Sequence, residues 1–196
     1  MTPQKSLLTE LYSLLPEIQG IRQRIHAHPE LGFQELATAA LVADYLRQLD
    51  IEVHEQVGKT GVVGVLRGTA GISARSIGLR ADMDALPIHE QTQLPYQSTI
   101  AGQMHACGHD GHTAVLLATA AYLAKHRDFA GIVHFMLRQR PGAYFRLGQG
   151  GAEQRRVLHN ANFDFNDAVI PQGAAMFVRI AQNFLAQTTT TTLNLG

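Results

Sequence analysis

The sequence has little of several features that mark particular classes of protein. Its 196 residues include one cysteine, no tryptophan and only 16% charged residues, with 16 Lys+Arg balancing 16 Asp+Glu. A lone cysteine, Cys107, excludes an internal disulfide and is typical of a reducing compartment. Zero net charge argues against a nucleic-acid-binding face. No apolar run reaches the roughly 20 residues of a membrane span, and charged residues interrupt the N-terminal segment, so we expect a cytoplasmic protein without a signal peptide.

Histidine, by contrast, is abundant: the chain has ten, and this excess in a neutral protein indicates a metal site. The length suits one domain, and a hydrophobic content of 45% is typical of a globular chain. Alternating helix and strand patterns predict an α/β fold with a mixed sheet. The predicted helices span about 7–25, 35–49, 111–125 and 171–185, and the predicted strands 51–57, 61–67, 76–80, 131–137 and 143–147.

One connection in this pattern is unusually short. Only residues 138–142 separate the last two predicted strands, whereas a parallel crossover needs a dozen or more residues. If these two strands pair, they must form an antiparallel hairpin. This connection is therefore the position at which an α/β chain could lack a segment.

The densest group of potential metal ligands is the run HACGHDGH, residues 105–112. In an extended loop, side chains two positions apart point the same way, so Cys107 and His109 can face one site. A thiolate and a neutral imidazole suit zinc or a similar metal, and a following helix start favours the thiolate. Gly108 and Gly111 allow the backbone to wrap closely around a bound group. The alternative is a simple turn with three unrelated histidines, in which Cys107 is a small buried hydrophobe.

Two further candidates lie in distant parts of the chain. Asp82 follows a predicted strand, and a carboxylate at the C-terminal end of a strand can orient a metal-bound histidine. The alternative for Asp82 is a solvated acidic turn or a pair with Arg80. His159 lies in a predicted loop and could close a metal site, although a lone loop histidine is more often a surface residue. His26 and His28 end the first helix, and we assign them no chemistry.

Four parts of the sequence together resemble one known family. They are HPELGF (28–33), RADMDALPI (80–88), HACGHDGHTA (105–114) and the later PGAYFRLGQG…LHN…FDFND. These segments are similar to metal-dependent amidohydrolases related to hippurate hydrolase and indole-acetyl-amino-acid hydrolase, of the aminoacylase/carboxypeptidase superfamily. The resemblance is colinear from about residue 20 to 135 and again from about 136 to 185.

The resemblance implies a fold, a chemistry and a set of site residues. The fold is an α/β catalytic domain interrupted by a smaller satellite domain, and two metal ions, usually zinc or manganese, activate a water that attacks an N-acyl amide. Cys107, His109 and His159 match metal ligands, Asp82 matches a carboxylate that orients a ligand, and His112 is a second supporting candidate. The implied substrate is a small N-acyl amino acid, and neither a nucleic acid nor a membrane is an expected partner.

The sequence departs from this family after Phe135. Family members continue there with Phe-Gln-Pro-Ala-Glu-Glu, whose first glutamate is the general base and whose second is a metal ligand. Another histidine ligand and the satellite domain follow in the family. This sequence has no Asp or Glu between Asp128 and Glu153, and no adjacent Glu pair anywhere. We interpret the difference as a large internal deletion near 135–142.

The resulting interpretation is a catalytic-type α/β domain over residues 1–186, with the satellite domain absent, and a disordered low-complexity tail over 187–196. No catalytic residue is retained because the general-base glutamate is absent. Hydrolysis by this chain is therefore expected to be impaired or abolished, with one divalent ion or none bound. Two alternatives stay open: a non-catalytic metal-binding remnant, and one part of a complex whose partner supplies the missing glutamates and lid. The sequence leaves the oligomeric state open.

Overall fold

The computed structural model describes residues 6–137, 147–150 and 157–186. This part of the chain combines helices with a single mixed sheet, which confirms the predicted α/β class. The elements are α1 (Leu7–Ala27), α2 (Leu36–Gln48), β1 (Glu52–Val57), β2 (Gly61–Arg67), β3 (Ser76–Arg80), α3 (His109–Lys125), β4 (Ile132–Leu137), a short 3₁₀ turn (Asp167–Val169) and α4 (Ile170–Ala186).

The four strands form one mixed sheet in the order β1-β2-β4-β3. β1 and β2 pair antiparallel as a hairpin, and its turn contains Gly58 and Lys59 in the left-handed region, at φ 66° and 96°. β4 pairs antiparallel with β2 and parallel with β3. Since parallel neighbours need a long crossover, the chain between β3 and β4 passes through residues 81–108 and then α3. That crossover carries the Asp82, Cys107 and His109 candidates.

Helix α3 lies at the centre of the hydrophobic core. Every residue from Thr113 to Leu123 is buried, because the helix packs against α1 and α4 and also contacts α2 and β4. A helix that is apolar on nearly every side is stable only when it is surrounded in this way. From α1, Leu11, Ile18 and Ile25 form one stripe, each at most 2% exposed. This packing fixes the beginning of α3, where the predicted metal loop ends.

The predicted bounds agree with the structure to within two residues. The difference that matters most for the site is at α3, which begins at His109 rather than at the predicted residue 111. The predicted strand 143–147 (except Leu147), the connection 138–142 and the tail 187–196 lie outside the described residues, and the proposed deletion junction is described only as far as Leu137. None of the helices in the described ranges is both long and apolar enough to cross a bilayer.

Candidate metal centre

The predicted ligand loop turns sharply into α3. Cys107 lies in the turn before the helix, Gly108 precedes the helix with φ 81°, and His109 is its first residue. The expectation of an extended loop is therefore wrong, because a left-handed glycine rather than strand alternation joins the two ligand positions. A Cβ at Gly108 would lie 3.3 Å from Phe163 and 3.2 Å from Phe165. Glycine here satisfies both the backbone conformation and the close packing.

A distant segment brings His159 to the same turn. The backbone N–H of His159 donates to the carbonyl oxygen of Ala106 over 2.7 Å. The imidazoles of His109 and His159 both act on the Cys107 thiol. His109 has the largest effect and lowers the pKa of the thiol; partial burial opposes it, and His159 lowers the pKa further. The three predicted ligands are therefore neighbours.

A carboxylate holds His109 at its other ring nitrogen. Nδ1 of His109 lies 2.9 Å from Oδ1 of Asp84 and 2.9 Å from the carbonyl oxygen of Asp84, so Nδ1 carries a proton and donates it. Burial alone would lower the pKa of His109, but the bonds to Asp84 and Cys107 outweigh it and raise the pKa to about 10. With Nδ1 engaged, Nε2 is the nitrogen left for a metal ion. A carboxylate bonded to the far nitrogen in this way is typical of metal-bound histidines.

Asp84 rather than the predicted Asp82 makes this orienting bond. The carboxylate of Asp82 pairs with Arg80, which was the alternative interpretation of this position. The ring of the other supporting candidate, His112, has its centroid 5.4 Å from that of His109, and the residue is exposed. Supporting roles for Asp82 and His112 stay predictions. The sequence signal for Asp84 was present, since Asp84 belongs to the same acidic run.

The donor set fits a divalent metal in its chemistry. A thiol of lowered pKa beside two imidazoles offers the ligands that zinc and similar ions prefer. Across residues 6–137, 147–150 and 157–186, however, no three His, Cys, Asp or Glu side chains are arranged to hold an ion. Cys107, His109 and His159 are thus side by side without forming a finished coordination sphere, and their coordination of a metal stays a prediction.

A cluster of buried ionisable side chains lies next to this loop. Arg22, His26 and Asp110 are each 0% exposed. His26 bonds through Nδ1 to Asp110 over 2.8 Å and through Nε2 to Glu90 over 3.2 Å. His105 is also buried, and neither of its ring nitrogens has a hydrogen-bond partner in the described part of the chain; burial lowers its pKa to about 4. The sequence alone does not reveal this cluster, because charged residues on an amphipathic helix normally lie on its exposed face.

Comparison with known proteins agrees with the motifs and the fold. Residues 78–136, which run from β3 through the ligand loop and α3 to β4, match Peptidase family M20/M25/M40. A hippurate hydrolase from Campylobacter jejuni is 54% identical over 129 residues, which cover 66% of this chain and 33% of that protein. An N-acetyl-L-cysteine deacetylase from Bacillus subtilis is 37% identical over 168 residues, covering 85% of this chain and 38% of that protein.

A solved structure gives the same result for the fold. The Bacillus subtilis YXEP protein, described as a dinuclear metal binding peptidase from the M20 family, superposes with a TM-score of 0.61 at 40% identity, covering 64% of this chain and 35% of that one. The chain spans about a third of the length of the curated relatives it matches. Fold, motifs and similarity agree, and the chain belongs to Peptidase family M20/M25/M40.

Proposed function

We propose that this chain binds a divalent metal ion through Cys107, His109 and His159, as the metal-binding part of an amidohydrolase for N-acyl amino acids. The observation that carries the proposal is the backbone bond from His159 to Ala106, which brings His159 to the turn formed by Cys107 and His109, where both imidazoles lower the pKa of the thiol. A thiol with two imidazole neighbours is a three-ligand set that leaves a coordination position open, as in catalytic zinc centres.

The groups around the proposed ligands prepare them to bind an ion. Asp84 keeps the proton of His109 on Nδ1, so that Nε2 is presented to the ion. The neighbouring imidazoles favour the Cys107 thiolate, which is the ligand form of cysteine. A divalent ion bound there would supply the usual metal chemistry for amide hydrolysis, acidification of a water and polarisation of a carbonyl. Zinc and manganese are the ions we propose.

The proposed substrate class follows from the relatives. A hippurate hydrolase and an N-acetyl-L-cysteine deacetylase both carry names that describe removal of an acyl group from an amino acid. Both are about three times as long as the part that matches here, so the substrate class comes to this chain as a proposal.

We propose further that hydrolysis by this chain alone is impaired or absent. Amide hydrolysis needs a group that takes the proton from the attacking water, a contribution of about 10²–10⁴-fold. The sequence has no acidic residue between Asp128 and Glu153, where the family resemblance would require the Glu-Glu pair. A large internal deletion near 135–142 accounts for this difference. Non-catalytic metal binding is therefore the activity that the chain retains.

The test is a metal titration joined to a hydrolysis assay on the purified 196-residue chain. Cobalt(II) serves as a spectroscopic stand-in for zinc, since a cobalt–thiolate band reports directly on Cys107. We expect a saturable band in the wild type and its loss in Cys107→Ser, with no turnover of N-benzoylglycine or N-acetyl amino acids in added zinc or manganese. Bound metal below a tenth of an equivalent would contradict metal binding. Turnover that depends on Cys107 would contradict the loss of activity, and a co-purifying chain that restores turnover would indicate that a partner supplies the missing glutamates.

A further inference from the structure

The buried guanidinium of Arg22 joins two parts of the chain that carry the predicted ligands. Nε of Arg22 lies 2.7 Å from Oδ1 of Asp167, and Nη2 donates to Oδ2 of Asp167 over 3.1 Å. Nη1 donates to Oδ2 of Asp110 over 3.2 Å and lies 3.6 Å from Oδ1 of Asp164. The guanidinium carbon also lies 4.6 Å from the centre of the Tyr96 ring. One cation from α1 thus faces three carboxylates.

These carboxylates lie close in sequence to the ligand positions. Asp110 is the residue after His109 in α3, and Asp164 and Asp167 follow His159 within the segment 157–169. His159 itself is exposed, and its backbone N–H bonds to Ala106. Arg22 therefore holds the side of the centre that carries Cys107 and His109 together with the side that carries His159.

Charge explains why this contact matters more than an ordinary buried ion pair. Without the guanidinium, Asp110 would keep His26 as its partner, but Asp167 would lose its cation and face Asp110 and Asp164 as a like charge in a poorly hydrated place, so repulsion would separate the two sides. Removing one partner of a buried ion pair is costly because the remaining charge is left uncompensated. Since Asp110 is anchored in the central helix α3, the segment 157–167 is the part that would move.

We propose that Arg22 is a positioning residue for the metal centre: by pairing with Asp110, Asp164 and Asp167, it keeps His159 against the Cys107–His109 turn. This inference rests on the proposed metal-binding function. Arg22 does not reach the ion in this role; it acts on His159 through the two aspartates that follow it. Residues that support ligands indirectly typically change metal affinity by about 10- to 100-fold when they are replaced.

The first test compares cobalt(II) binding to the full chain and four variants. Arg22→Met removes the charge, and Arg24→Met is the matched control on the exposed side of the same helix. Leu46→Ala, in the core between α2 and the hairpin, controls for loss of stability alone. We expect affinity to fall about 10- to 100-fold in Arg22→Met and to stay at the wild-type value in Arg24→Met and Leu46→Ala. Asp167→Asn leaves Arg22 paired with Asp110 and should also lower the cobalt(II) affinity. This variant tests the proposal if Arg22→Met fails to fold.

A mutant cycle separates positioning from general support. If Arg22 acts through the aspartates, adding Arg22→Met to an Asp164→Asn/Asp167→Asn background should cost less affinity than adding it to the wild type, because the repelling charges are gone. If Arg22→Met lowers the cobalt(II) affinity by the same factor in both backgrounds, the proposal is overturned. Affinity in Arg22→Met equal to that in Arg24→Met, at equal folding by circular dichroism, would overturn it as well.

Hydrogen exchange without added metal tests the same inference independently of the ion. Peptides covering 157–167 should exchange faster in Arg22→Met than in Arg24→Met, while peptides from the middle of α3 exchange alike. If the wild type binds no cobalt, the proposed function fails, and exchange still decides the role of Arg22. If exchange of 157–167 is unchanged in Arg22→Met, the positioning role fails whatever the metal result.

Discussion

At the scale of single residues, the two aspartates that follow β3, Asp82 and Asp84, show which site residues a sequence can and cannot predict. Asp82 and Asp84 are two apart, so an alternating pattern cannot tell which one faces the ligand loop. A distant contact decides: the backbone N–H of Ala85 donates to the carbonyl oxygen of Glu30 over 2.8 Å, and Leu31 pairs with Ala85 in a parallel bridge. This contact fixes the loop with the Asp84 carboxylate on His109, and a local pattern contains no information about it.

A pair of substitutions tests this choice. In Asp84→Ala the carboxylate that accepts from His109 Nδ1 is removed, and we expect metal affinity to fall about 10- to 100-fold, because the ring is no longer held with Nε2 toward the ion. In Asp82→Ala, where a pair with Arg80 is lost instead, affinity should stay near the wild-type value. The measurement is a cobalt(II) or zinc titration of both purified variants. A larger loss in Asp82→Ala would favour the role that the family resemblance assigns to Asp82.

The predicted ligands themselves show how far residue types and spacing can lead. Cys107 and His109 were found because a thiol and imidazoles in one short run are uncommon outside metal sites. For His159 the residue type alone gives only a candidate and the resemblance makes it a ligand; the structure brings it to the Cys107 turn. Arg22 was not found, since its importance depends on burial against carboxylates from other segments. The chemistry near a motif is thus readable from sequence, whereas long-range charge pairing is not.

At the scale of elements, helical and strand periodicity located the helices and strands well, and the one consequential shift is the start of α3. Gly108 and Gly111 made the sequence read as a loop until 111, because glycine disfavours helix. In the structure Gly108 precedes the helix in the left-handed region, and Gly111 lies inside the first turn against the ring of Phe165. In the sequence, a glycine that packing requires inside the first turn of a helix therefore looks like a glycine in the loop before the helix.

Two glycine substitutions in helices should accordingly have opposite signs. Gly20, in α1, has no atom within 4 Å of where a Cβ would be, so Gly20→Ala should stabilise the protein by about 0.5–1 kcal/mol through lower chain entropy in the unfolded state. Gly111→Ala would place a methyl group into the Phe165 ring and should destabilise by about 1–3 kcal/mol. Urea unfolding of both variants measures the difference. Stabilisation by Gly111→Ala would mean that Phe165 can move away freely.

At the scale of the whole molecule, the buried polar cluster ties α1 to α3 and to the loop 81–108, so the folded state depends on its protonation. His26 would have its pKa lowered by burial, but the bonds to Asp110 and Glu90 outweigh this and raise the pKa from 6.5 to about 9. His105 shows the opposite balance, since burial lowers its pKa from 6.5 to about 4. The two histidines lie close together, with ring centroids 6.2 Å apart. One is thus held charged and the other neutral near neutral pH.

These opposite shifts predict a stability optimum near pH 6.5 for the protein with chelator and no added metal. The raised pKa of His26 in the folded state gives stability that is complete below pH 6.5, the unfolded value, and is lost as the pH rises toward 9. The lowered pKa of His105 gives stability that is complete above pH 6.5 and is lost as the pH falls toward 4.

The loss of stability at alkaline pH is assigned to His26 by subtracting the unfolding free energy of His26→Gln from that of the wild type across pH 5–10. We expect this difference to be largest below about pH 6.5 and to shrink as the pH approaches 9, whereas the difference for Ile25→Val, a buried neighbour that does not titrate, should be the same at every pH. A His26→Gln difference that is equally flat would mean that His26 is neutral in the folded protein, and the bonds to Asp110 and Glu90 would then not hold a charge at the junction of α1 and α3.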